Sequence, residues 1–310
     1  MIRQTLSSIC LLACVACGSE ATTAPAAATT TPGTSRAYEI VVHRPLKAGD
    51  RMRVVVDAEE RIEGAQTSTN VDQAAIKNID KNLQLSLVGT LTIREVDEQG
   101  RAQSAVLVVE QFTATDTGTA LLPAGAKIDA IRGAGDFSLM VDDEPRPDLL
   151  RPLRLAFPLH RPGSPLGDEL FGSKDPRQIG DTWAVSKSLV SKRLVEDGYI
   201  VRETGLSGDT RLVGTTNVGG TECLELSAKL HGDQATVSEQ WALLGVGSGQ
   251  IDVTLKFVVP VDKTLPLAME EATGSGRFAA QVDGADSSLN RDLILTRHRK
   301  ALYTPLSATP

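Results

Sequence analysis

The chain has 310 residues, of which 41% are hydrophobic and only 4% aromatic, and its formal net charge is −7. An acidic chain has no electrostatic reason to bind nucleic acid, and scarce aromatic rings disfavour the stacked-ring surfaces that hold sugars or single strands. Only Cys223 follows the first 17 residues, so the rest of the chain holds no intramolecular disulfide and depends on a hydrophobic core.

The first sixteen residues have the pattern of an export signal. Arg3 gives a positive start, and residues 6–16 form an apolar run shorter than the about 20 residues that span a bilayer. The run ends in Cys14-Val15-Ala16-Cys17, which resembles the lipobox of bacterial lipoproteins, where small residues precede a cysteine that becomes lipidated. We predict cleavage before Cys17 and lipidation there. Cys14 in the overlapping register is the alternative, and a general secretory signal is the remaining interpretation.

A flexible tether is predicted at 17–37, because Ala, Thr, Pro, Ser and Gly dominate it and cannot bury enough surface to become ordered. The lipoprotein resemblance implies anchoring by a diacylglyceryl group, since one acyl chain alone binds membranes marginally. It also implies the outer membrane, facing the periplasm or the surface, because Gly18 follows the cysteine where Asp would favour inner-membrane retention. The expected partners are the membrane, through the lipid, and an unidentified envelope protein or lipid, with no nucleic acid.

From residue 38 onward, alternation of apolar and polar residues predicts antiparallel strands with one buried face. Leu85, Leu87 and Leu91 alternate in this way, as do residues 251–259. Further strands are predicted at 39–43, 52–56 and 105–109, with turns at 97–100 and 217–220. The predicted fold class is mainly β, with curved antiparallel sheets or a half-barrel formed by two related halves, and one or two short helices.

Two helices are expected. Val71, Ala75, Ile79 and Leu83 recur every four residues and predict a helix over 71–81, and Pro147 is suited to begin a second helix over 147–155. Residues 156–179 contain several prolines and glycines and are interpreted as a connector over the surface.

A faint internal repeat suggests duplication. Leu87-Val88-Gly89-Thr90 recurs as Leu212-Val213-Gly214-Thr215, and Gly49-Asp50-Arg51-Met52 parallels Gly180-Asp181-Thr182-Trp183. Two further pairs of landmarks, the glycines 100 and 220 and the segments 139–142 and 259–262, keep the same order. The predicted organisation is a signal peptide at 1–16, a tether at 17–37, a first β half at 38–144, a connector at 145–179, a second β half at 180–304 and a tail at 305–310.

A second resemblance concerns the last 130 residues or so. Gly180-Asp181-Thr182-Trp183 opens a predicted strand after Asp175-Pro176, which is similar to an uncharacterised β-rich domain of exported bacterial proteins. The strand, turn and proline pattern of 261–267 is similar to the same family. The first half departs from the pattern, with Met52 in place of the aromatic residue. The resemblance implies an envelope protein and no particular activity.

Motifs that carry chemistry are few. His43, His160, His231 and His298 have none of the spacings of zinc ligands. Asp116-Thr117-Gly118 matches half of an aspartic peptidase motif, but the second copy that this chemistry requires is missing. The glycines at 245, 247 and 249 lack the Lys-Ser/Thr of a phosphate loop, and Cys223 has no base in a recognisable pattern. We therefore predict no catalytic, metal or cofactor-binding residues.

The sequence leaves two functions open. The sequence favours a membrane-anchored envelope lipoprotein with a non-enzymatic binding or structural role, its ligand unknown. One version is a half-barrel with an apolar concave face, as in bacterial lipoprotein carriers. The alternative is a hydrolase whose catalytic residues are scattered along the chain, because catalytic triads are recognised by geometry and not by position. A dry apolar groove would favour the first function, and a cavity combining His with carboxylates the second.

Overall fold

The computed structural model describes residues 36–70, 73–133, 137–157, 159, 163–196, 199–237, 247–283 and 287–306. The strands before the first helix are β1 Arg51–Asn70, β2 Gln73–Val96, β3 Ala102–Ala114, β4 Thr119–Leu122, β5 Lys127–Arg132, β6 Phe137–Val141 and β7 Glu144–Pro145. The later strands are β8 Thr182–Ala184, β9 Tyr199–Ile200, β10 Leu206–Val218, β11 Thr221–Val237, β12 Gly247–Pro260, β13 Met269–Asp283 and β14 Ser287–Pro305. The α-helices are α1 Leu150–Ala156, α2 Gly167–Phe171 and α3 Lys187–Glu196, with 3₁₀ turns at Pro147–Leu149 and Glu203–Gly205.

The fold is mainly antiparallel β, as the sequence predicts: the strands form an open, curved, 14-stranded sheet. Its order is β7-β6-β5-β3-β2-β1-β14-β13-β12-β11-β10-β8, with β4 beside β3 and β9 beside β11. Apart from β4 and β9, strands β1 to β7 form one antiparallel meander and strands β8 to β14 form another. The two meanders join where β1 pairs with β14. The two halves therefore form one continuous sheet.

One face of the sheet carries the core. Leu85, Leu87 and Leu91 on β2 and Leu224 and Leu226 on β11 are all buried, which confirms the predicted register of these strands. The buried side chains divide into two clusters. One is centred on β1 to β3 and is covered by α1, and the other is centred on β10 to β12 and is covered by α2 and α3.

The helix predicted over 71–81 is wrong for the residues that the structure describes, since β2 begins at Gln73 and pairs with β1. A spacing of four residues places side chains on one face of a helix, but it also places them on one face of a strand. A helix would place on the same face the residues three positions after Ala75 and Ile79 as well. Those residues are the polar Asn78 and Asn82. The pattern therefore agrees better with a strand.

The strand predicted at 39–43 is also wrong. Ile40 and Val42 are buried in alternation with more exposed neighbours, but their segment pairs with no long strand. Tyr38 forms an isolated bridge with Arg177, and Asp168 of α2 accepts hydrogen bonds from the backbone N–H groups of Val42 and His43. A side-chain carboxylate thus takes the place of a strand partner. We call residues 38–48 the strap.

The structure has helices over the sheet that the sequence did not predict. The helix expected over 147–155 is confirmed by the 3₁₀ turn at Pro147 and by α1. Helices α2 and α3 were not predicted, and Leu170 and Phe171 of α2 are buried in the core, so this part of the connector is more than a surface crossing. The available sequence signal for α3 was the spacing of Val190 and Leu194 by one helical turn. Both side chains are buried in the structure.

The landmarks of the proposed duplication agree only in part. Gly49 donates a backbone hydrogen bond to Ile93, and Gly180 donates one to Leu212, so the two Gly-Asp turns meet comparable strands. The hairpins at 97–100 and 217–220 then follow at similar distances. The repeated Leu-Val-Gly-Thr segment, however, contains Leu212 itself in the second half but lies six positions before Ile93 in the first. Duplication remains a prediction.

Candidate functional site: a cavity under the helical layer

A cavity of about 1260 Å³ lies between the concave face of the sheet and the layer formed by the strap and the three helices. This volume exceeds the roughly 300–1,000 Å³ of typical sites for small molecules. Its apolar lining comes from both sides, and examples are Leu155, Phe171 and Leu194 on the helical side and Leu255 and Phe257 on the sheet. The cavity can therefore hold a large apolar group.

Small residues on β13 make room for this cavity. Ala272 and Gly274 both line it, at positions where neighbouring strands carry larger side chains. A Cβ atom added at Gly274 would meet nothing nearer than Val253 Cγ2 at 3.7 Å. Gly276, one step along the same face, is instead covered by the ring of Phe278. The open floor of the cavity is thus centred on Gly274.

A buried carboxylate interrupts the apolar face at the centre of the sheet. Glu60 on β1 is 2% exposed and lies between Ala58 and Ile62 on the same face. Its Oε2 accepts a hydrogen bond from Arg297 Nε of β14 at 2.7 Å, and its Oε1 accepts one from Arg151 Nε of α1 at 2.9 Å. These hydrogen bonds tie α1 to the sheet, and the two arginines supply the opposite charge that a buried carboxylate requires.

A second polar group lies nearby on β13 and β14. Arg299 Nη2 donates to the Phe157 carbonyl at 3.1 Å, and Arg299 Nη1 lies 3.9 Å from Glu270 Oε2. Burial raises the pKa of Tyr303 to about 12, so this phenol keeps its proton and remains able to donate a hydrogen bond in the cavity wall.

The charges of the cavity are strongly unbalanced toward the positive. The cationic residues in the lining are Arg44, Lys81, Arg101, Arg151, Arg154, Arg193, Arg297 and Arg299. The lining carboxylates are Glu60 and Glu270. A chain with a net charge of −7 has therefore gathered arginines around one apolar cavity, which favours ligands that carry negative charge.

Arg44, on the strap, is the most deeply buried of these arginines, at 9% exposure. Its Nη2 donates to the Pro260 carbonyl, whereas its Nε and Nη1 are buried without a hydrogen-bond partner. Burial lowers the pKa of Arg44, and the negative charges of Asp168 and Asp262 act in the opposite direction. An arginine nevertheless stays protonated in a protein, so a positive charge lies at this wall of the cavity.

Apart from His43, the residues that the sequence analysis singled out lie outside this cavity or outside the described residues. Cys17, the alternative Cys14, His160 and Gly245 belong to segments that the structure does not describe. His231 is 2.8 Å from Asp252 and 3.2 Å from Asp233 on the outer face of the sheet, and His298 contacts Glu271 at 3.1 Å. His43 lines the cavity and contacts the Gln99 carbonyl at 2.9 Å.

The remaining motifs are structural. Asp116-Thr117-Gly118 forms the turn before β4, with Gly118 at φ 68°, as expected for a turn glycine. Gly247 and Gly249 belong to β12 and not to a loop. Cys223 is fully buried on β11, and burial raises the pKa of its thiol. Within the described segments, no group of three or more His, Cys, Asp and Glu side chains is arranged to hold a metal.

Sequence reasoning missed the cavity residues for a physical reason. Glu60, Arg297 and Arg299 occupy inward positions of strands whose other inward residues are apolar, which is the signal that was available. Reading that signal requires knowing that β1 and β14 are neighbours, and nothing local in the sequence gives this pairing.

The fold and cavity define a class: an open antiparallel sheet whose concave face holds a helix-covered, arginine-rich cavity. No family model and no curated protein matches the chain. Among solved structures, it is similar to lipovitellin, described for its lipid–protein interactions, with a TM-score of 0.38 and 9% identity. That match covers 86% of this chain, which spans only 26% of the lipovitellin chain.

Two bacterial structures are also similar. The MucA/MucB complex of Pseudomonas aeruginosa gives a TM-score of 0.19 and 8% identity, covering 76% of this chain and 88% of the other. Ail of Yersinia pestis, in complex with a heparin analogue, gives 0.14 and 7%, covering 82% and 99%. In the part of the chain that the structure describes, no helix is long and apolar enough to cross a membrane.

Proposed function

We propose that the protein is an envelope lipoprotein that binds a lipid-like molecule in the cavity between its sheet and its helices. The single observation that carries this proposal is the cavity of about 1260 Å³, lined largely by apolar side chains and floored by Gly274. Each methylene group moved from water into such a space contributes about 0.8 kcal/mol. An acyl chain therefore gains enough to offset the cost of its ordering.

The test uses the full chain with Cys14→Ala and Cys17→Ala, so that no attached lipid competes for the cavity. A neutral apolar fluorophore, N-phenyl-1-naphthylamine, is titrated into this protein and into the variant that also carries Gly274→Phe. We expect saturable binding by the parent and at least a tenfold weaker signal from the variant, because the phenyl ring occupies the floor of the cavity.

The matched control is Ser275→Phe, which adds the same ring to the exposed, opposite face of β13. This variant should bind as the parent does. If Gly274→Phe and Ser275→Phe bind alike, the ligand does not enter the cavity. Mass spectrometry of lipids that copurify with the native, membrane-extracted protein then identifies the occupant.

The anchoring part of the proposal rests on the resemblance of residues 14–17 to a lipobox and is tested separately. Intact-mass measurement of the mature protein should show a chain that begins at Cys17 and carries a diacylglyceryl group. An unmodified N-terminus, or one that begins at Cys14, contradicts this assignment.

A further inference from the structure

We propose that Arg44 is the head-group receptor of the cavity and that the ligand is an anionic amphiphile, in which a carboxylate or phosphate group heads an acyl chain. This inference rests on the proposed function and deepens it, because it adds the charge of the ligand and the residue that recognises it. The observation that carries it is a buried guanidinium with two unused donors in the wall of an apolar cavity.

The donors of Arg44 are an exception among buried polar groups, which are nearly always hydrogen-bonded. Its Nε and Nη1 both lack a partner, in a side chain that is 9% exposed. Leaving charged donors unpaired is costly, and a bound anion would satisfy them with charge-assisted hydrogen bonds. The guanidinium is thus prepared for an acceptor that the chain itself does not supply.

The carboxylates near Arg44 do not fill this role. Asp168 accepts from the backbone N–H groups of Val42 and His43, and Asp262 accepts from the N–H of Thr264 at 2.9 Å and from its hydroxyl at 2.7 Å. Neither carboxylate belongs to the lining of the cavity. Both carboxylates add negative charge near Arg44, but neither accepts a hydrogen bond from its Nε or Nη1.

The other arginines of the lining are already engaged. Glu60 binds Arg151 and Arg297, the Phe157 carbonyl accepts from Arg299, and Asp97 binds Arg101 at 2.6 Å. Arg193 Nη1 donates to Ser164 Oγ at 3.0 Å. These groups add to the positive field that attracts an anion, whereas Arg44 offers the unused hydrogen-bond donors that fix its position.

The experiment compares oleate with oleyl alcohol, which has the same chain but no charge, as competitors of N-phenyl-1-naphthylamine. The protein is the full chain with Cys14→Ala and Cys17→Ala. We expect oleate to bind at least about tenfold more tightly than oleyl alcohol, as a charge-assisted hydrogen bond predicts. Arg44→Met should remove this preference by weakening oleate alone, and Arg44→Lys should retain part of it.

The control variant is Arg211→Met, which removes one positive charge from an exposed position on β10 outside the lining of the cavity. It should keep the preference for oleate within about twofold. Because the preference is a ratio measured within each variant, it does not depend on small differences in folding between variants.

Further competitors separate the sources of the anion. Oleoyl lysophosphatidate should compete, since its phosphate monoester presents the same acceptors, and acetate or inorganic phosphate alone should compete at least a hundredfold more weakly.

Equal binding of oleate and oleyl alcohol by the parent overturns the role of Arg44 but leaves the lipid-binding function in place. Equal loss of both ligands in Arg44→Met shows a structural role for Arg44 and also overturns the inference. If no amphiphile binds at all, the proposed function itself fails.

Discussion

Glu60 shows how one side chain holds two layers of the molecule together. Its buried carboxylate binds Arg297 on the neighbouring strand and Arg151 on α1. Removing the negative charge leaves two guanidinium groups next to each other without the buried carboxylate that they share. Such a loss is much more costly than the loss of a partner that reaches into solvent.

We therefore expect Glu60→Gln to lower the free energy of unfolding by about 3 kcal/mol, the lower end of what breaking a buried ion pair costs. Arg151→Gln should lower it by less than about 1 kcal/mol, because half of the Arg151 side chain is exposed and Arg297 still pairs with Glu60. Urea denaturation followed by circular dichroism measures both. Similar small losses of the free energy of unfolding in the two variants would contradict a stabilising role for the ion pairs of Glu60.

His231 provides a test of electrostatics on the outer face of the sheet. The hydrogen bond that Asp252 accepts from the imidazole raises the pKa of His231 above its ordinary value of 6.5, and Asp233 adds to the shift. Since the folded-state pKa is raised, the protonated form stabilises the fold below pH 6.5, and this stabilisation is lost as the pH rises through the folded pKa.

NMR titration of the imidazole should give a pKa for His231 above 6.5, and Asp252→Asn should lower it. Asp209→Asn, an exposed carboxylate on the adjacent strand β10, serves as the control and should leave the His231 pKa unchanged. A His231 titration that is insensitive to Asp252→Asn would contradict the hydrogen bond at 2.8 Å.

At the scale of elements, strand β2 tests which face of the sheet is buried. Leu87 is 0% exposed on the concave face, and its neighbour Val88 points to the other face, where it is partly exposed. We expect Leu87→Asp to cost several kcal/mol, about 4 or more, because it buries an unpaired charge in the core. Val88→Asp should cost about half of that or less. Chemical denaturation of both variants provides the measurement, and equal costs would contradict the register.

The elements also show where local patterns are sufficient. Residues 251–259 and the leucines of β2 were predicted as strands because alternation is a local property of the chain, and the structure confirms them. The strap failed the same test: Ile40 and Val42 alternate like a strand, but Asp168 of α2 takes the hydrogen bonds of the segment. A period of two predicts burial on one side; it does not predict which group satisfies the backbone.

At the scale of the whole molecule, the cavity could not be predicted because its lining comes from both meanders and the helical layer. Glu60 and Arg297 meet only because β1 pairs with β14, and the lining of the cavity combines Gly274 of β13 with residues of α1 and α3. The mainly antiparallel fold, by contrast, follows from strand patterns repeated through the chain. Local signals thus predicted that the sheet is antiparallel but not which strands are neighbours in it.

The tether gives a prediction at the same scale. The compact unit that the structure describes begins at Arg36, which pairs with Glu222 at 3.0 Å, so a deletion of the tether should stop at residue 35, although the predicted tether extends to residue 37. Deletion of 21–35 should change the melting temperature of the folded part by less than about 2 °C, since a segment without large apolar groups contributes little packing. A fall of several degrees would show that the segment packs. Deletion of 38–48, which removes the strap, is the destabilising control.

The pairing of β1 with β14 also has a consequence for biosynthesis. Val54 pairs with Tyr303, so the first long strand lacks one of its two neighbours until β14, more than 200 residues later, has been made. Contacts between residues this distant in sequence form slowly, because the ends of a long loop must first meet. A chain that emerges from a ribosome therefore remains incompletely folded until β14 has been made. The export that we propose from the signal-like N-terminus would require such a delay, because a chain crosses a membrane channel before it folds.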